Sequence, residues 1–252
     1  MNRNSIGIIG GGFVGKILKR YYSDAKVYDI KGGFNSWSEV RKCEIIFVAV
    51  NMLDNCLGDD SRSQLNNYFL EMDKGTIIII KSTFVPRTTD WFQNKYPHIR
   101  FIYNPEFLTE MTAWEDFTKP QFQILGCPHK SLPLIHKIFA LLPEAPIKRV
   151  ISPIDAETLK HAFNAYYALK VTWFNQLYDA CKELGSDYET VREIMVRNPW
   201  IGDSHSAIWH KGYRGYGGKC LAKDPKAFAK ITKFPLIKYN EQYNDGLKNK
   251  TL

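Results

Sequence analysis

Residues 6–15 read IGIIGGGFVG. An apolar run enters a glycine cluster and leaves it in an amphipathic stretch, which reads as a strand, a tight turn and a helix start. Gly10, Gly12 and Gly15 fit the pattern G-x-G-x-x-G. Glycine there permits the turn and lets a pyrophosphate approach the outward-pointing N–H groups of the helix N-terminus. A second strand, Lys26 to Tyr28, follows and runs directly into Asp29. An acid at about that separation accepts hydrogen bonds from a ribose 2′-hydroxyl, which favours NAD over NADP. Lys31, two residues on, tempers that preference.

Outward from this segment, short Ile/Val runs alternate with amphipathic stretches. Strands are predicted at Ser5–Ile9, Ile45–Val50, Thr76–Ile80, Phe101–Tyr103, Gln123–Leu125 and Ile147–Val150, with helices starting near Gly12, Ser61, Pro86 and Ser131. The strands are continuous apolar runs, as expected where helices cover both faces of a sheet. Strand–helix alternation predicts an α/β fold, a Rossmann-like doubly wound parallel sheet over residues 1–150.

Near residue 150 the pattern changes. Ser152-Pro153-Ile154-Asp155 has a serine N-cap, a proline in the first turn and an early acid. No breaker follows until Gly185, which predicts one helix over 153–184, roughly 45 Å long. Its apolar residues, among them Phe163, Tyr166, Leu169, Trp173, Phe174 and Leu177, occupy more than one face. Such a helix needs partners on several sides. Residues 151–252 are therefore expected to form an all-helical domain around it, with further helices near Tyr188–Arg197 and Pro225–Thr232, and to dimerise through it.

The chain has 252 residues, 44% hydrophobic and 24% charged, with a formal charge of +8. That is globular composition with enough apolar residue for a core. Met1-Asn2-Arg3-Asn4 runs straight into the first strand, and no run approaches membrane-spanning length, so neither signal peptide nor membrane span is expected. Five scattered cysteines, at 43, 56, 127, 181 and 220, form no C-x-x-C pair. Neither a disulfide framework nor a zinc site is suggested, and the six histidines lack metal-ligand spacing, so no metal is expected. The expectation is a reduced, cytoplasmic protein. The excess of lysine beyond Lys211, including Lys248 and Lys250, is either a solvated basic face or an attraction for an anionic ligand; no nucleic-acid motif accompanies it.

Several loops carry candidate chemistry. KSTFVP at 81–86 and NPEFLTE at 104–110 each follow a predicted strand, where open α/β sheets bind ligands. Thr83, Glu106 and Glu110 become site candidates, although Glu110 also reads as a plain helix-start acid. Lys160 and Asn164, four apart, share a helix face. They are either an exposed pair or a source of donors for a developing oxyanion. GYGGKCLAKD at 215–224 places Cys220 between Lys219 and Lys223, just before an Asp224–Pro225 helix start. Cations and helix N-terminal amides lower a thiol pKa and activate it as a nucleophile.

Together the motifs GGGFVG, FVAVN, KSTFVP, NPEFLTE, AETLKHAFNAYYALK and GYGGKCLAKD resemble the UDP-glucose/GDP-mannose dehydrogenase family, in family order over nearly the whole chain. The resemblance implies oxidation of the C6 alcohol of a UDP-glucose-like nucleotide sugar to the uronic acid, with two NAD+ per turnover. Cys220 would attack the aldehyde intermediate and carry it through a thiohemiacetal to a thioester that water hydrolyses. Lys160 and Asn164 would stabilise the oxyanion, and Thr83, Glu106 and Asp224 would order water and handle protons. The cofactor set would be Gly10, Gly12, Phe13, Val14, Gly15, Asp29, Val50, Thr83 and Lys223. The substrate set would be Glu106, Phe107, Leu108, Glu110, Lys160, Asn164, Tyr216, Gly217 and Gly218.

Three departures from the family pattern accompany the match. Family members usually continue into a third domain that grips the nucleotide, whereas this sequence stops at Leu252. Sugar-nucleotide binding would then fall to the basic C-terminal segment, a dimer partner or a separate chain. The stretch from Asp29 to Ile45 is shorter than the family's. Val50-Asn51-Met52-Leu53 replaces a Thr-Pro-rich turn, Met111 stands for a glycine and Ala222 for a proline. Two other functions remain open beside the first: a dehydrogenase of another anionic, sugar-like alcohol, and a catalytically weakened NAD-binding dimer.

Overall fold

The computed structural model describes residues 5–51, 59–210, 212–218 and 220–247, with backbone alone at 59–61. Met1 to Asn4, Met52, Leu53, Cys56, Lys211, Lys219, Lys248 and Lys250 lie outside the described residues. The chain divides into two compact units, Met1–Lys160 and His161–Leu252.

In the first unit the elements run β1 (Ile6–Ile9), α1 (Phe13–Tyr21), β2 (Lys26–Tyr28), α2 (Trp37–Val40), β3 (Ile45–Val48), α3 (Asp59–Leu70), β4 (Ile77–Ile80) and α4 (Thr88–Lys95). They continue with β5 (Arg100–Tyr103), α5 (Ala113–Thr118), β6 (Phe122–Gly126), a 3-10 turn (His129–Leu134), α6 (Ile135–Leu141) and β7 (Ile147–Ile151). The seven strands stand in the order β2-β1-β3-β4-β5-β6-β7. All of β3 and β4 is buried, and Ile8, Phe47, Ile79 and Leu125 face one apolar layer while Ile46, Ile78, Ile80 and Phe101 face the other. Two covered faces are why these strands read as unbroken apolar runs.

The sheet differs from an all-parallel one at a single seam. β5 meets β6 antiparallel through Tyr103 and Gly126, while β6 and β7 pair parallel to each other. Buried Asn104 splices the seam: its Nδ2 donates to Gln123 Oε1 at 3.2 Å and to the Ile124 carbonyl at 2.8 Å. β2 is an edge of the sheet, and the Asp29–Ile45 connection that follows it covers part of that edge. Asn35 folds back on it, donating its N–H to the Val27 carbonyl at 2.8 Å and accepting from Val27 N at 3.0 Å through Oδ1.

α7 spans Pro153–Leu184, the range expected. Ser152 Oγ accepts from Asp155 N at 3.2 Å at its start, and Ser186 N donates to the Cys181 carbonyl at 2.8 Å at its end. The remaining elements of the second unit are α8 (Tyr188–Val196), β8 (Trp209–His210), β9 (Tyr213–Arg214), α9 (Asp224–Thr232) and α10 (Pro235–Leu247). Among its described residues the unit is thus helical apart from the small antiparallel β8–β9 pair. Among the described residues no helix is long and apolar enough to cross a membrane.

Candidate active site

The glycine turn joins β1 to α1. Gly10 has φ +105°, and a Cβ on Gly15 would lie 1.8 Å from the Gly10 carbonyl oxygen, so helix and turn touch there without room for a side chain. Gly12, the N-cap of α1, has the opposite character: a Cβ on it would meet nothing within 4 Å, and no side chain caps the helix. Open space before uncapped helix amides is a cradle for an anion. Phe13 is exposed and Val14 half-buried at the first turn of α1.

Asp29 leaves the end of β2 and braces the same turn. Its Oδ2 accepts from Gly11 N at 2.6 Å and its Oδ1 from Lys31 N at 2.9 Å. The amides of Lys31 and Gly11 hold this carboxyl below the usual aspartate range. Each oxygen keeps a lone pair for a further donor. The glycine cradle and this acid fit the pyrophosphate and ribose of a dinucleotide. Val50, half-buried past β3, accepts from Ser82 Oγ at 2.8 Å, and half-buried Thr83 follows in the loop after β4.

Sequence reading missed Lys81. It is buried at the end of β4, and its Nζ donates to Asn104 Oδ1 at 2.5 Å. Burial pulls its pKa down to about 8, against the attraction of Glu106. A charge placed directly after the IIII run of β4 was the available signal.

The NPEFLTE loop holds Glu106 half-buried. Lys160 Nζ donates to the Glu106 carbonyl at 2.7 Å and stands 3.6 Å from its Oε1, while Glu106 Oε2 accepts from Leu108 N at 3.2 Å. Phe107 packs edge-on to Phe122 with ring centroids 4.8 Å apart. Lys160 is buried, so an exposed Lys160–Asn164 pair is ruled out. Glu110 is exposed and precedes α5 rather than starting it. One turn before Lys160, buried Glu157 accepts from Arg87 N at 2.6 Å, Thr89 N at 2.8 Å and Thr89 Oγ1 at 2.7 Å. These bonds tie α7 to the start of α4, where Arg87 has φ 80°. Burial still pushes Glu157 up to about 7.

In the second unit, Asn164 Nδ2 donates to Asp224 Oδ2 at 2.6 Å, and Lys223 Nζ bonds Asp224 Oδ1. Asp224 and Pro225 open α9 behind Lys223 as N-cap, and the Asp224 carboxylate serves this cluster. Cys220 is exposed, whereas Cys43, Cys127 and Cys181 are buried. The Cys220 carbonyl accepts from Lys223 N at 3.2 Å and Asp224 N at 3.0 Å. The N-cap amide and the first amide of α9 are therefore both directed at the carbonyl of this residue. Tyr216 is buried, Gly217 half-buried and Gly218 exposed. Among the described residues no three His, Cys, Asp or Glu side chains group as a metal site.

Residues 30–141 match the NAD binding domain of the UDP-glucose/GDP-mannose dehydrogenase family, and residues 154–245 match that family's central domain. The chain is 28% identical to a UDP-glucose 6-dehydrogenase of Rickettsia bellii over 228 residues, 86% of this chain and 51% of that protein. It is 33% identical to one of Haloferax volcanii over 181 residues, 66% of this chain and 41% of the other. The chain thus spans about half the length of the curated relatives it matches. Its fold is that of a UDP-glucose dehydrogenase from Pyrobaculum islandicum, with TM-score 0.78, 22% identity, and coverage of 97% of this chain and 68% of that one. A UDP-D-ManNAc dehydrogenase from Pyrococcus horikoshii gives TM-score 0.81 at 18% identity, covering 96% and 68%.

Proposed function

The chain belongs to the UDP-glucose/GDP-mannose dehydrogenase family, and on that premise we propose that it oxidises the C6 alcohol of a UDP-glucose-like nucleotide sugar to the uronic acid. The carrying observation is Cys220, exposed at the end of a glycine loop and beside the buried Asn164–Asp224 pair and half-buried Lys223.

The glycine turn and Asp29 hold the cofactor, with Phe13, Val14, Val50, Thr83 and Lys223 completing its set. NAD+, when bound, supplies the two-electron acceptor, two molecules per turnover. Cys220 Sγ adds to the C6 aldehyde carbon, giving a thiohemiacetal, and carries that carbon on to the thioester. Water then cleaves the thioester, returning the thiol and releasing the carboxylate. Lys160 and Asn164 present N–H donors to the oxyanion. Glu106, Thr83 and Asp224 order the water and move its protons. Phe107, Leu108, Glu110, Tyr216, Gly217 and Gly218 position the sugar nucleotide.

The partner we assign is a second copy of the chain. A cleft of about 540 Å³ in the second unit is lined by Tyr166, Trp173, Trp200, Leu236 and Tyr239, all exposed on the single chain. An apolar surface of this kind marks an interaction site, and sedimentation at several concentrations tests it: a monomer throughout rejects the dimer.

The function is tested by NADH release on a panel of UDP- and GDP-sugars, with products identified by mass. About two NADH per acid formed on one nucleotide sugar is expected. In Cys220→Ser, cofactor binding should persist and acid formation should stop. Unchanged acid formation in that variant rejects the mechanism.

A further inference from the structure

The glycine loop that leads to Cys220 is held at one residue. Asn244 Oδ1 accepts from Tyr216 N at 2.7 Å, and Asn244 Nδ2 donates to the Tyr216 carbonyl at 3.0 Å. Bonding an N–H and a C=O of the same residue leaves one orientation for the amide, and it copies what a neighbouring strand would supply. Asn240, one turn earlier on α10, donates from Nδ2 to the Tyr216 hydroxyl at 3.2 Å. Its Oδ1 accepts in turn from Thr172 Oγ1 of α7. All three residues are buried: Tyr216 is 5% exposed, Asn240 7% and Asn244 2%.

The surroundings are cut to this arrangement. Gly215 has φ +80°, and a Cβ on it would lie 2.5 Å from Asn244 Oδ1. Only glycine lets the asparagine reach the loop. The Tyr216 ring packs with Ala168 and Val171 of α7 and with Leu221, beyond the cysteine. The chain is therefore anchored on both sides of 217–220, while Gly218 and Cys220 face outward.

We propose that Asn240 and Asn244 are positioning residues for the Cys220 thiol, acting through Tyr216 as a buried anchor, so that the loop meets its ligand through Gly217, Gly218 and Cys220. This rests on the reading of Cys220 as the reacting group and narrows the role of Tyr216 within it. With its ring, hydroxyl, N–H and carbonyl all engaged inside the unit, Tyr216 sets where the loop lies rather than what it grips.

The test follows iodoacetamide labelling of each cysteine in the full chain by peptide mass, with kcat and cofactor affinity alongside. In Asn244→Ala, which removes both bonds to the Tyr216 backbone, Cys220 labelling should rise about fivefold or more, since even one lost hydrogen bond shifts a population by about that factor. Labelling of Cys43, Cys127 and Cys181 should stay slow, and kcat should fall with cofactor affinity unchanged. Cys220 labelling at the wild-type rate in a folded Asn244→Ala variant overturns the proposal. If all cysteines label together, the variant has unfolded and Tyr216→Phe decides, since it keeps the ring and both backbone bonds. A faster Cys220 there supports the anchor, and an unchanged one overturns it. The labelling readout needs no turnover. A responsive Cys220 in a protein without dehydrogenase activity would reject the proposed reaction and leave the anchor standing.

Discussion

Asn164 and Asp224, sixty residues apart, are joined by a 2.6 Å hydrogen bond from amide to carboxylate, with both side chains buried. The bond needs one donor and one acceptor, so its polarity can be tested by exchange. Asn164→Asp sets two carboxylates against each other in a buried site and should cost about 3 kcal/mol or more. Adding Asp224→Asn reverses donor and acceptor and leaves an oxygen for Lys223. The double variant should recover about half the loss or better, measured by urea unfolding as a double-mutant cycle. Additive losses would show that the two side chains are not coupled.

The glycine turn gives a prediction that separates folding from binding. Gly12→Ala enters open space and should change stability by no more than about 1 kcal/mol. If the cradle takes a pyrophosphate, the same methyl group should weaken NAD binding about tenfold or more. Gly15→Ala meets backbone at 1.8 Å and should destabilise the fold itself by about 2 kcal/mol or more. Calorimetric titration beside thermal melting distinguishes the cases. Undiminished NAD affinity in Gly12→Ala would place the phosphates elsewhere.

Glu157 makes stability depend on pH in a defined direction. Its native pKa, about 7, lies above the ordinary 4.5. Between those values the native state binds a proton that the unfolded chain has lost. Its contribution is complete below the lower value and is lost as pH rises through the upper one. Glu157→Gln should flatten that fall in melting temperature. It should also lower stability by about 1–3 kcal/mol, because one amide oxygen cannot replace two carboxylate oxygens for the Arg87 and Thr89 donors. Parallel wild-type and variant profiles would remove Glu157 as the source.

Lys81 should act with the opposite slope in a higher window. Its native pKa, about 8, lies below the ordinary 10.5. Across that interval the unfolded chain binds more protons, so stability should rise with pH. Lys81→Met should abolish the rise. Its persistence in the variant would assign it to another group.

Much of the first unit was legible because local chemistry and global fold agree there. The β1 run, the glycine turn and Asp29 are constrained by backbone geometry within thirty residues. The α7 boundaries were equally plain, since Ser152, Pro153 and Gly185 are strong stop and start signals. What stayed hidden was set by distant contacts. α10 reads YNEQYNDG in its middle, and asparagine favours turns over helices. Its buried positions, Ile237, Asn240, Asn244 and Leu247, do recur at helical spacing. Two of them are polar because their partner is the backbone and hydroxyl of Tyr216, a contact no local pattern announces. The antiparallel seam was hidden likewise, because Asn104 completes it with a side chain. Lys81 and Glu157 are charges inside a core, which patterning treats as surface.

Asn35 takes both outward-facing backbone groups of Val27, at the strand where the sheet would otherwise stop open. An unsealed border strand is a template on which another polypeptide can add itself, and proteins that expose one tend to aggregate. Here a single side chain and its own amide stand in for the missing neighbour. The connection after Asp29 thus leaves no raw margin at Val27. At Val27 the border offers no free backbone pair on which a second polypeptide could extend the sheet.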